Sequence, residues 1–166
     1  LEMPGGMRGR TYDNAYSYTF DENVHAMIER GEDPQAAAIA RGRELGMHVY
    51  ASVRMNDNHF NGAQVEDLPQ LRHHSLTRLR CEHPEWLLGK NAGSDWFALS
   101  WDFSVPEVRQ HRFEHVKEVC TQWDWDGVEL DWQRHGFHLH QDYGYRLRYV
   151  LTDLQRAIRQ MTRELE

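Results

Sequence analysis

Three short runs limit what this chain can fold into: MHVYASVRM at 47–55, WFALSWDF at 96–103 and DGVELDW at 126–132. In the first, Met47, Val49, Ala51 and Val53 alternate with His48, Tyr50, Ser52 and Arg54. That period of two predicts a strand with one apolar and one polar face. In the third, Val128 and Leu130 alternate with Glu129 and Asp131, so two carboxylates share one face of what otherwise reads as a buried strand. Helical periods separate the runs. Strands that alternate with helices imply parallel pairing and right-handed crossovers.

The helical segments carry end signals. Residues 1–20 show neither period and read as an irregular N-terminal segment, and a short helix is expected over 23–30. Asp33 as cap, Pro34 in the first turn and Gly46 as the stop mark a helix between them. The mixed stretch from Asn56 to Asp95 suggests a helix over 68–80 inside a long ordered connection, a length that usually carries function. Ser104 and Glu107 stand at capping-box spacing with Pro106 between them, which starts a helix running to about residue 122. The last helix has the cleanest apolar stripe: Leu147, Val150, Leu151, Leu154, Ile158, Met161 and Leu165.

Composition excludes some functions. The chain has 166 residues, of which 40% are apolar, and carries 26 acids against 19 bases for a formal charge of −7. This is enough for one globular core, and it lacks the basic patch of a nucleic-acid binder. No apolar run approaches the roughly 20 residues of a membrane span. Cys81 and Cys120 are too few and too far apart for a disulfide framework or a zinc site. The chain opens on Leu1 without a charged-then-apolar leader, which leaves the compartment open, a secreted or periplasmic parent included.

The expected fold class is therefore α/β. A closed eight-stranded barrel typically takes about 250 residues, so residues 1–166 are read as a single partial domain, a segment of a TIM-type (β/α)8 barrel with parallel strands and flanking helices. A small doubly wound sheet is the competing architecture, but the chain has no Gly-x-Gly-x-x-Gly or phosphate loop to support nucleotide binding.

The candidate chemistry collects at the strand ends. Barrel enzymes place their sites at the C-terminal ends of the strands, where Ser52, Arg54 and Asn56 continue the polar face of the first, Asp57 and His59 follow in the loop, Asp102 ends the second, and Glu129 and Asp131 lie in the third. Carboxylates crowded together shift each other's pKa and can divide acid and base roles. The structural alternative pairs Glu129 with Arg54, and gives Asp102 to the start of the following helix. Trp132, just beyond Asp131, suits the apolar face of a sugar ring, whereas the other five tryptophans read as core. His135, His138 and His140 lack a zinc-protease pattern, so no metal is expected, and His73–His74 reads as a solvated pair.

With these residues in view, SVRMNDNH, EHPEWLLG, WDFSVPEVRQH and WDWDGVELDWQRH, in that order, resemble the glycosyl-hydrolase-like barrel proteins of the family-10-like group, bacterial proteins of largely unassigned activity. The resemblance spans roughly residues 23–160. It implies a TIM-type barrel acting on carbohydrate, with Arg54, Asn56, Asp57 and His59 at one strand end, Asp102 at the next, and Glu129, Asp131 and Arg134 at the third. The Asn-Glu dipeptide of the better-known retaining relatives is replaced here by ELDW. The expected function is a glycosidase or close relative. Asp131 first and Glu129 second supply the carboxylate acid/base, Arg54 orients hydroxyls and Trp132 stacks a ring. The alternative is a non-catalytic carbohydrate-binding barrel, and a third reading is metal-assisted hydrolysis through Asp57, His59 and the 135–140 histidines. No cofactor is expected. The expected partners are a carbohydrate and the remaining barrel strands of the parent chain.

Overall fold

The computed structural model describes residues 10–56, 59, 63–92, 95–133, 138–139 and 148–165. Among them, helices α1 (Ala15–Glu29), α2 (Pro34–Glu44), α3 (Arg78–Glu82), α4 (Pro106–Gln122) and α5 (Arg148–Leu165) accompany a two-stranded parallel sheet of β1 (Tyr50–Arg54) and β2 (Gly127–Asp131). The chain is a mixed α/β protein. A long connection and α4 join the two strands, and α5 packs along α4.

The two strands use the alternation expected of them. Ala51 and Val53 are buried, while Val128 and Leu130 pack into the same apolar cluster as Val108 and Val116 of α4 and Leu154, Ile158 and Met161 of α5. Each apolar side chain fully withdrawn from water contributes about 1.5–3 kcal/mol, so this face binds the sheet to its helices. The polar face of both strands is turned away from α4 and α5.

Register is set at the strand starts. Asp126 accepts the Val49 N–H on its carboxylate (2.7 Å) and donates its own N–H to the Val49 carbonyl (2.9 Å). Arg43, in the last turn of α2, binds the Asp124 carboxylate (2.7 Å) and carbonyl (2.6 Å). Tyr50 then stands opposite Gly127, where a β-carbon would come within 2.7 Å of the tyrosine ring. α2 is built as its sequence signals imply. Asp33 accepts the Ala36 N–H (2.9 Å), and Gly46 follows the helix in the left-handed region at φ 72°, which costs glycine little. Asp33 also accepts from Trp123 Nε1 (2.8 Å), and these donors, Ala36 first, hold its carboxyl below the usual range.

Four local expectations are corrected. Residues 15–20 are helical rather than irregular because Asn14 accepts the Ser17 N–H (2.9 Å) and starts α1 there. The helix expected over 68–80 is broken: Val65–Gln70 is a 3-10 turn containing Pro69, and α3 begins only after Thr77, whose hydroxyl caps it. Proline lacks the N–H that a continuing helix needs. Residues 96–103 form no strand. Asp95–Phe97 is a 3-10 turn, and Trp101 makes only an isolated antiparallel bridge to Leu87. Ser104 does not cap α4 either; Asp102 accepts the Ser104 N–H (2.8 Å), and Arg109 closes back on the Phe103 (2.6 Å) and Ser104 (2.9 Å) carbonyls.

α4 also carries a titration-linked residue. Burial, and next the Arg112 guanidinium, push His115 down to about 4. A histidine near 6.5 in the unfolded chain binds a proton there before the folded protein does, so its contribution is complete above pH 6.5 and is lost as pH falls toward 4. Urea unfolding should show on the order of 2 kcal/mol of stability lost across that window, and His115→Gln should flatten the loss. An unchanged profile in the variant would place the titration elsewhere. Cys81 and Cys120 are free thiols, each pushed up by burial.

Candidate functional site at the strand ends

Parallel pairing sets three rungs on the polar face: Tyr50 with Gly127, Ser52 with Glu129, and Arg54 with Asp131. Adjacent strands lie about 4.8 Å apart, so the guanidinium and both carboxylates project from neighbouring backbone positions. Glu129 is exposed and Asp131 half-buried. The structural ion pair between Glu129 and Arg54 is not formed; Ser52, not Arg54, faces Glu129. The Asp131 carboxylate accepts the Gln133 N–H (2.9 Å), which holds it in the turn leaving β2. Its carbonyl accepts the Met55 N–H (3.0 Å), and Arg112 of α4 donates to the Arg54 carbonyl, so both strand ends are anchored.

Asn56 leaves this face. It is 2% exposed, accepts the Trp101 N–H on Oδ1 (2.9 Å) and donates from Nδ2 to the Trp101 carbonyl (3.2 Å). Its amide thus does for the 101 segment what a neighbouring strand would do. The Trp101 N–H fixes which end of the amide is oxygen, so Nδ2 also faces His138 Nδ1 at 3.3 Å. His138 Nδ1 must then accept, and its Nε2 donates to the Trp132 carbonyl (3.1 Å). The neutral ring is held by both nitrogens, which removes His138 as a metal ligand while this clamp stands.

Asp102 is buried, donates its N–H to the Trp86 carbonyl (2.9 Å), and its carboxylate is engaged in the turn before α4. Trp132 follows the alternation to the Leu130 side. Its ring packs on Phe103 (5.2 Å between centroids) and His138 (5.1 Å) within the apolar cluster, so it is core and not the sugar platform expected beside the acids. His59 is exposed, and its carbonyl accepts from Nη1 of the fully buried Arg80 (3.2 Å). Asp57, Arg134, His135 and His140 lie outside the described residues.

The structure therefore brings Arg54, Glu129 and Asp131 together, and gives Asn56, Asp102 and Trp132 to the scaffold beneath them. Sequence reasoning missed Arg80 and the role of His138. The first carries no local signal in a charged helical stretch, and the second was visible only as one histidine of RHGFHLH. A cleft of about 370 Å³ lies elsewhere, between α4 and α5, lined by Pro106, Arg109, Phe113, Val150, Leu154 and Ala157 among others. Its charged lining residues are Arg109 and Asp153; Arg109 is engaged with the Phe103 and Ser104 carbonyls, and Asp153 accepts from Arg156 (3.3 Å). No helix among the described residues is long and apolar enough to cross a membrane. No protein-family model matches the chain, and no curated protein matches it.

Proposed function

We propose that this chain is a segment of a glycoside-hydrolase-like (β/α)8 barrel whose polar strand face acts on carbohydrate. One observation carries the reading: Arg54, Glu129 and Asp131 occupy adjacent rungs at the C-terminal end of a parallel β-α-β unit, on the face opposite its helices. In such barrels that face is the lumen, closed by further strands, and its C-terminal end is where catalytic groups collect. Asp131, at the strand tip, serves as the acid that protonates the leaving oxygen; Glu129 supports positive charge on the sugar; Arg54 directs hydroxyls through its planar fork. With Trp132 in the core, ring stacking is not assigned to it.

The test is a glycan screen on the full-length parent followed by Asp131→Asn and Glu129→Gln. General acid/base groups contribute about 10²–10⁴-fold, so turnover should fall by that factor in the first variant. If both variants turn over as the parent does, the roles are wrong. The exposure of Glu129 favours a second reading, a barrel that holds a glycan without cleaving it. Saturable calorimetric binding with no product over days, weakened by Arg54→Ala, would select it.

A further inference from the structure

A second polar cluster lies outside the strand face. Residues 11–13 run beside 72–74: Thr11 bridges His73 in parallel, donates its N–H to the Arg72 carbonyl (2.7 Å) and accepts the His74 N–H (3.0 Å). His73 and His74 are neighbours in sequence, yet the turn places both rings on the same side, with centroids 4.6 Å apart. Each reaches one oxygen of Asp13, His73 Nε2 to Oδ1 at 3.2 Å and His74 Nε2 to Oδ2 at 3.2 Å. These histidines are not the solvated pair expected from sequence, since His73 is only 6% exposed.

We infer that Asp13, His73 and His74 form a binding site for a borderline divalent metal ion, of which zinc is the best match. Zinc takes imidazole nitrogen at about 2.0–2.1 Å and carboxylate oxygen at about 2.0–2.2 Å in a tetrahedron, which sets N···O edges of roughly 3.3–3.5 Å. The 3.2 Å separations lie close to that edge, and the candidate ligand atoms of all three residues fall within 4.8 Å of one another. Two aromatic nitrogens with one carboxylate suit zinc better than calcium or magnesium, which prefer all-oxygen shells.

The surroundings extend the match. His74 Nδ1 lies 4.0 Å from the Asp21 carboxylate, and the Tyr12 ring stacks on His74 at 5.0 Å. At that distance the carboxylate adds favourable charge beside the ligating ring without a hydrogen bond to it. Asp13 and Asp21 together balance a dication. The Ser75 hydroxyl, 3.3 Å from His74 Nε2, stands where it can hold a water in the fourth position. One bond opposes loading: Ser75 N–H donates to His73 Nδ1 (3.2 Å), which keeps the His73 proton on Nε2. Zinc displaces that proton to Nδ1, and the turn gives up the Ser75 bond. Loading would then fasten the start of α1 to the connection 61 residues away, independently of what the strand face does.

The experiment is zinc titration of the chelator-stripped full chain, followed by calorimetry and thermal unfolding. One ion should bind the parent and raise its unfolding temperature. Asp13→Asn and His74→Gln, each checked for folding by circular dichroism, should weaken binding by at least about tenfold and lose the thermal shift. With 11 histidines in the chain, His48→Gln at an exposed position serves as the control and should bind as the parent does. Cobalt(II) in place of zinc should give tetrahedral visible absorption in the parent and the control but in neither site variant. A parent that takes up no zinc, or site variants that take up zinc as the parent does, would overturn the assignment.

Discussion

Replacing Phe103 with alanine should lower the unfolding free energy by about 3–5 kcal/mol, the range for removing a fully buried aromatic ring. The ring is fully buried and meets Trp132 at 5.2 Å and His138 at 5.9 Å, the latter edge-on. Phe103 also donates its N–H to the His138 carbonyl (2.8 Å), so it joins the long connection to the segment beyond β2 by side chain and backbone together. Alanine keeps the backbone bond and leaves a cavity beneath the strand tips. Phe103→Leu fills most of that volume and should cost less than half as much. Urea denaturation of the two variants checks both magnitudes. A loss under 1 kcal/mol for the alanine variant would mean that the connection is not anchored at this point.

The second large effect is expected at Asn56. Asn56→Leu keeps the branching of the side chain but removes at least three hydrogen bonds at once, leaving the Trp101 N–H, the Trp101 carbonyl and His138 Nδ1 without their amide partner. A buried polar group stripped of its partner costs about 1–3 kcal/mol, and members of one network do not add simply, so a loss of roughly 3 kcal/mol is expected. Asn56→Asp distinguishes lost bonds from lost shape. Its carboxylate can still accept the Trp101 N–H but meets an acceptor at His138 Nδ1. That variant should therefore be destabilised although its side-chain shape is kept, as urea denaturation would show. A variant as stable as the parent would show that the donor bonds of the amide are not needed.

The same residues show what could be read from the chain beforehand. β1, β2, α4 and α5 were legible because each buries one periodic face, and α2 because its cap, first-turn proline and stop are adjacent in sequence; both kinds of signal are properties of the local string. The run 96–103 misled because apolar density alone does not make a strand; a strand needs a partner edge, and here the amide of Asn56, 45 residues away, supplies the bonds that an edge would have supplied. Trp132 was readable and misassigned, since the alternation that puts Asp131 on the polar face sends the next residue to the other. His73 and His74 could not be read locally. Adjacent side chains diverge in extended chain, and only the turn at 74–75, held by Thr11, brings both rings to one carboxylate. Of the candidate site, Arg54, Glu129 and Asp131 were visible from period two, while the clamp under them depends on contacts distant in sequence.

The bare backbone at Gly127 has a consequence for how β1 and β2 find each other. Tyr50 lies across a position with no side chain, and the rungs above it pair a hydroxyl with a carboxylate, then a guanidinium with a carboxylate. Sliding β2 by two residues would keep the apolar face inward yet set the tyrosine ring against the Glu129 side chain. The glycine is the only rung that can admit the ring, so it works as a keyway: the strands engage in one alignment, and that alignment is the one that brings Arg54 level with Asp131.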